Sequence, residues 1–184
     1  HQQAQQQLDV VKEYSEKKNQ LLKEVEANPS DVEAWYDIGV FSNNDGLYED
    51  AVAYFEKVLS LKPDYINALI EKAYAHSGLG EIDKAITCYE TVIKYDPNNH
   101  LANRSLARIY HAQLNYELAK QYFTESIRIN PHDHDWLYAM VRIANDLNEN
   151  EQAIEYSNAV LQIKPDHVDA LIEQGYAYTV LNQQ

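Results

Sequence analysis

Cysteine is all but missing from this chain of 184 residues: Cys88 stands alone. A single thiol excludes an internal disulfide framework and any paired-cysteine zinc site, and it fits a reducing compartment. Cytoplasm is favoured on that ground alone; localisation is otherwise open. No apolar run approaches the ~20 residues that a membrane-spanning helix needs. Cationic side chains are scarce, 15 against 29 carboxylates, for a net charge of −14. A general nucleic-acid or anionic-membrane partner requires basic surface, and this balance argues against one. There is no glycine-rich phosphate loop, no His-Glu-x-x-His helix and no nucleophile elbow, so the expectation is no enzyme and no cofactor. Neither an initiator Met nor a signal-peptide pattern precedes the Gln-rich lead HQQAQQQ. The expectation is an excised piece whose termini say nothing of location.

Proline is scarce too, and its five occurrences organise everything else. Pro29, Pro63, Pro97, Pro131 and Pro165 follow one another at intervals of 34 residues. A fixed period in this range marks a solenoid, one supersecondary unit stacked on copies of itself. Between prolines the apolar spacing is helical. From about Ala4 to Ala27, Leu8, Val11, Tyr14, Leu21, Leu22 and Val25 recur in steps that make one amphipathic helix. It ends at Asn28-Pro29, because the residue before a proline is pushed out of the helical region. Ser30 with Glu33 has the spacing of a capping box, and Asp166 is the expected cap of the last helix. Helices are expected at about 31–44 and 47–61, with Asp45-Gly46 as the turn between them. The next pairs fall at 65–78 and 81–95, 99–112 and 115–129, 133–146 and 149–163, and a last helix at 167–181.

The expected organisation is one solenoid domain: an N-terminal helix or cap over 1–29, repeats at 30–63, 64–97, 98–131 and 132–165, and the first helix of a fifth over 166–184. Superposing the repeats exposes columns. One is always alanine (Ala51, Ala85, Ala119, Ala153), where two helices must approach closely. Another is mostly small (Gly39, Ala73, Ala107, Val141, Gly175). A third is aromatic with one departure (Phe55, Tyr89, Phe123, Ser157). With an aromatic or leucine near the start (Trp35, Leu69, Leu137, Leu171) and the closing proline, these columns resemble the tetratricopeptide repeat over residues 30–184. Departures at Asn103, Val141 and Ser157 lead us to expect looser or specialised packing in the third and fourth repeats.

The resemblance implies an all-α fold, a right-handed α-α superhelix whose concave face is lined by the first helix of each pair. Its implied function is a non-catalytic protein-interaction scaffold that binds a peptide or helical segment there. The alternative is a recognition or regulatory arm of a larger enzyme or assembly. On first helices, the face one and five positions after the Trp35 column carries Tyr36 and Val40, with Asn43 nearby. The later helices add Asn67, Ile70 and Tyr74, then Arg104, Arg108 and His111, then Tyr138, Arg142 and Asn145, and finally Ile172 and Tyr176. Three of the chain's four arginines fall on this stripe. Arg104 and Arg108 repel each other at i,i+4 unless an anion sits between them, and a guanidinium fork suits a carboxylate. A partner with acidic groups follows. The alternative is that Asp135, Asp169 or Glu173 neutralises these arginines while the tyrosines pack between helices. The family's carboxylate clamp finds no match: its closest register, Arg104, Arg108, Ala139, Asp169 and Glu173, keeps only the first basic position.

Other candidates are weaker. His132 and His134 in PHDHDW, with His100 and His167 in adjoining turns, could approach a metal, but no second clear ligand pair accompanies them, and the expectation is no metal. Cys88 reads as a packing residue. Asn103-Arg104-Ser105 is formally a glycosylation sequon, placed mid-helix on the groove side and so accidental. Leu171, Ala177, Tyr178 and Leu181 mark a last helix without its mate, so either more chain follows, which is preferred, or a second copy pairs there.

Overall fold

A computed structural model describes residues 16–182, and all regular structure among them is helical. The helix α1 covers 16–27; the part of the expected N-terminal helix before it, with Leu8, Val11 and Tyr14, lies outside the described residues. Then come α2 (Val32–Asn44), α3 (Tyr48–Leu61), α4 (Ile66–Gly78), α5 (Ile82–Tyr95), α6 (His100–Ala112), α7 (Tyr116–Ile129), α8 (His134–Asp146), α9 (Asn150–Ile163) and α10 (Val168–Leu181). The chain divides into two compact units, one ending at Tyr95 and one beginning at Asp96. In the first, α2 pairs with α3 and α4 with α5, and α2 also touches α4. In the second, α6 pairs with α7 and α8 with α9, and α10 rests on α9 and α8.

Helix starts correct two expectations. Asp31, not Ser30, caps α2, its side chain accepting from the Ala34 amide at 3.1 Å. Ser30 is held in the turn after Pro29, its amide donating to Asn28 Oδ1 at 3.3 Å. That turn sets the helix one residue later than a capping box on Ser30 would. The same displacement makes His167 the cap of α10 instead of Asp166, with Nδ1 accepting from the Ala170 amide at 3.2 Å.

The columns are the core. Ala51, Ala85, Ala119 and Ala153 are fully buried, as are Ala73, Ala107 and Val141, with Phe55 and Phe123 completely or almost completely so. A Cβ on Gly39 would stand 2.6 Å from Phe55 Cε1, so glycine is required there for the ring to seat. The departures are not looser. Val141 and Ser157 are both fully buried, and Ser157 Oγ donates to the Ala153 carbonyl at 2.7 Å. A larger residue in the small column accompanies a smaller one in the aromatic column. Asn103 is buried and donates its amide to the carbonyls of Pro97 at 3.2 Å and Asn99 at 3.0 Å. Trp35, at the same register, donates Nε1 to the Pro29 carbonyl at 3.0 Å. The residue type changes and the bond to the ruler proline stays. Burial also removes Asn103 from the reach of glycosylation in the folded chain.

Gly46, Gly80, Leu114 and Asn148 share one position in the turn inside each pair, and all four have φ between 58° and 75°. Leu114 holds this left-handed conformation while exposed to solvent, at a cost of about 1–2 kcal/mol for a side chain with Cβ. Leu114→Gly is expected to raise stability by about 0.5–1 kcal/mol, the relief less the entropy of a freer unfolded chain. A urea melt checks it.

Candidate functional site

The first-helix stripe divides in two by what its side chains already do. In the unit ending at Tyr95, most are occupied. Tyr36 is half-buried between Phe55 and Tyr65, with ring centroids at 6.0 and 5.2 Å. Burial, with the nearby charges of Glu71, Asp37 and Glu33, pushes its hydroxyl pKa up. Val40 packs on the same cluster. Asn43 is buried and donates Nδ2 to both the carbonyl and the carboxylate of Glu71, at 3.0 and 2.9 Å. Tyr74 is exposed, edge-on to Tyr48 at 6.0 Å, and Asn67 is exposed.

The unit beginning at Asp96 differs. Asn145 repeats the Asn43 latch, Nδ2 reaching the Glu173 carboxylate at 2.7 Å and carbonyl at 3.2 Å. Both asparagines therefore tie one first helix to the next. Arg104, Arg108 and Arg142 are another matter. Among the described residues no carboxylate lies within 4.0 Å of any of the three guanidinium groups, while Arg128 and several lysines do have acidic partners. Asp135, Asp169 and Glu173 form no ion pair with these arginines, although Glu173 and Asp169 act on the same Tyr138 hydroxyl as Arg142 does. Arg104 lies over the face of Trp136, with Cζ 4.5 Å from the ring centroid. Trp136 is itself steadied by Phe123, with centroids 5.9 Å apart. This cation–π contact holds a guanidinium in place without neutralising it.

Around Arg142 the polar groups are set as neutral donors. Burial, then the Arg142 charge, hold the His111 pKa below the ordinary imidazole value, with Asp146 opposing them. Burial, then Glu173 and Asp169, push the Tyr138 hydroxyl pKa up against the opposite pull of Arg142. Tyr138 also tilts over His167 at 4.9 Å. The face thus combines three cations with an imidazole biased towards its neutral form and a phenol held protonated, with Asp146, Asp169 and Glu173 among the charges around them. A depressed His111 leaves the unfolded chain binding more protons, so its contribution to stability is present above the ordinary imidazole range and is lost as pH falls through it towards the lower folded value. In Arg142→Ala, one cause of the depression is gone. His111 is expected to titrate closer to its ordinary value, read from the imidazole NMR signals against pH. Tyr176 is exposed on α10, as is Ile172.

Sequence reasoning missed Trp136, although its signal was there. Ala34, Ala68, Ala102 and Ala170 occupy its register in every other unit, and all four are buried. One tryptophan in an alanine column is where an uncommitted arginine found its platform.

Among the described residues no group of three His, Cys, Asp or Glu side chains is placed to hold a metal. His134 and His167 meet edge-on with ring centroids 6.0 Å apart, but His167 Nδ1 is spent on its cap. Cys88 is buried, and burial pushes its thiol pKa up. It borders a cleft of about 460 Å³ with Lys72, His76, Glu81 and Lys84. Both lysines there are already paired, Lys72 with Glu56 at 2.9 Å and Lys84 with Glu81 at 2.8 Å. Among the described residues no helix is long and apolar enough to cross a membrane.

Comparison with known proteins agrees with the columns. Three tetratricopeptide repeat models match residues 44–109, residues 18–66, and residues 105–133 with 136–167. Anaphase-promoting complex subunit CDC16 of Saccharomyces cerevisiae is 25% identical over 165 residues, covering 86% of this chain and 20% of that protein. Subunit cut9 of Schizosaccharomyces pombe is 28% identical over 142 residues, covering 76% of this chain and 21% of that protein. The chain therefore spans about a fifth of the length of these two relatives. Among solved structures, YrrB, described as a TPR protein with an unusual peptide-binding site, superposes with a TM-score of 0.78 at 18% identity, covering 89% of this chain and 84% of that one. MamA superposes at 0.73 and 22% identity, covering 80% and 81%. Likeness at that level establishes the fold, an all-α repeat solenoid. With repeat models spanning the chain from residue 18 to 167 and the columns buried as that repeat requires, the chain belongs to the tetratricopeptide repeat family.

Proposed function

We propose that the chain is a non-catalytic protein-interaction module, and that its α6 and α8 hold an extended peptide with acidic side chains. The observation that carries this reading is the set of three guanidinium groups without a carboxylate partner among the described residues of a chain with net charge −14. In such a chain, a cation left uncommitted while carboxylates are plentiful is one reserved for something else. Arg104, stacked on Trp136, supplies a pre-ordered fork; Arg108 and Arg142 add charge on the same stripe, and Tyr138 donates a hydrogen bond. The occupied positions Asn43, Asn145 and Tyr36 support the frame.

A second reading places the chain as an arm of a larger assembly. It is favoured by the likeness to two anaphase-promoting complex subunits that are several times longer. Both readings share the acidic-peptide face. Calorimetric titration of an Asp/Glu-rich extended peptide into the wild type and Arg104→Ala/Arg108→Ala tests it. Binding is expected only to the former; equal binding to both would sink the assignment.

A further inference from the structure

One polar column runs through the first helices, and a single repeat puts an ionisable group in it. In steps of 34 residues the column reads Asn43, Ser77, His111, Asn145 and Thr179. Asn43 and Asn145 spend their amides on Glu71 and Glu173, 28 residues further on. Ser77 and Thr179 turn back on their own helices, donating to the carbonyls of Ala73 at 2.9 Å and Gly175 at 2.8 Å. Beyond His111 by the same 28 residues stands Ala139, so the carboxylate half of the latch is missing there. His111 instead continues the arginine stripe. Arg104, Arg108 and His111 occupy positions i, i+4 and i+7 of α6, which share one face of a helix. The ring is half-buried and tilted against Tyr116 of α7, with centroids 5.8 Å apart.

The groups around this imidazole pull in opposite directions. From α8, Arg142 opposes a proton on it and Asp146 favours one. Asp146 also acts on the Tyr116 hydroxyl, the titratable group that α7 sets beside the ring. Arg108, three residues back, is the charge on the same face of α6. Burial adds to the Arg142 side, so a proton taken up here is stabilised by a further anion alongside. An acidic peptide on the arginine face brings that anion. Resting on that reading of the face, we propose that His111 makes it responsive to pH: on taking a proton His111 becomes a fourth cation, and the face holds an acidic peptide more tightly as pH falls through the imidazole range. The sign follows from reciprocity. A peptide carboxylate that stabilises the imidazolium raises the affinity for the proton, and the proton raises the affinity for the peptide by the same factor.

Calorimetric titration of an Asp/Glu-rich extended peptide at about pH 7.5 and about pH 5.5 tests this, since peptide carboxylates with ordinary values of about 3.9–4.3 stay ionised at both. Wild-type affinity should be at least about threefold tighter at the lower pH, the effect of one added charge pair at an accessible site. His111→Asn installs the residue that the column carries at 43 and 145 and is neutral throughout. It should match the wild type at the higher pH and lose most of the gain at the lower. In the wild type, the His111 imidazole NMR signals should titrate at higher pH with the peptide than without it. An equal gain in His111→Asn overturns the proposal, because the proton is then taken up elsewhere. So does a His111 titration that the peptide leaves in place, a result that does not depend on the variant folding. Wild-type binding without pH dependence that still disappears in Arg104→Ala/Arg108→Ala overturns the role of His111 and leaves the acidic-peptide face standing. Absence of binding at both pH values overturns both.

Discussion

Phe55→Ser is expected to destabilise the protein by about 3–5 kcal/mol, the cost of deleting a buried aromatic ring and leaving its cavity. Phe55 is fully buried in the core of the α2–α3 pair, with Ala51 and Val58 beside it. Gly39→Val alone is expected to cost about 1–3 kcal/mol, because its Cβ would fall 2.6 and 2.8 Å from Phe55 Cε1 and Cζ. Together the two changes should cost less than their sum by at least about 1 kcal/mol, since the valine fills what the ring vacates. The fourth repeat already carries that combination as Val141 and Ser157, both fully buried. There the serine hydroxyl is satisfied by the carbonyl four residues back, and a serine introduced at position 55 would find the Ala51 carbonyl in the same place. A double-mutant cycle by urea denaturation measures the coupling. Strict additivity would mean that the two columns do not determine each other's size.

The second large effect is on binding. Arg104→Ala/Arg108→Ala/Arg142→Ala is expected to lower affinity for an acidic peptide at least about a hundredfold, since a hydrogen bond to a charged group contributes about 1.5–3 kcal/mol. Stability should hardly change. Arg108 and Arg142 are exposed with no ion pair among the described residues, and Arg104 forfeits a cation–π contact of about 0.5–1 kcal/mol. Wild-type affinity should fall as salt rises, because exposed charges are screened. Arg104→Lys separates charge from shape. It keeps the cation and loses the planar fork over Trp136, so it should bind more weakly than the wild type and more tightly than Arg104→Ala. Loss of affinity accompanied by a comparable loss of stability would instead make these arginines part of the frame.

Much of the fold was legible because periodicity is written redundantly. From α2 onward each helix ends where the proline ruler and the turn residues placed it. Each starts one residue later than expected, because a residue such as Asp31, Asn99 or His167 serves as the cap and not as the first turn. Burial of the alanine and aromatic columns followed from the same register. What resisted was polar. Nothing in the spacing says that Asn43 and Asn145 spend their amides on Glu71 and Glu173, because a latch between successive first helices depends on a facing carboxylate 28 residues away. Nor does a stripe of tyrosines show which rings are used. Tyr36 is consumed by Phe55 and Tyr65, while Tyr74 and Tyr176 remain exposed. The arginines were visible as an anomaly of charge, but their freedom from carboxylates required coordinates. Trp136 was visible only as an intruder in an alanine column, a signal that means little until Arg104 is found on its face.

That contact provides a reporter. The protein has two tryptophans, so Trp35→Phe leaves Trp136 as the sole source of indole emission. If an acidic peptide engages Arg104, Trp136 emission should change saturably as the peptide is added, at the concentrations where calorimetry detects binding, and Arg104→Ala should remove the response. Peptide binding that leaves Trp136 emission unchanged would contradict the assignment of this face.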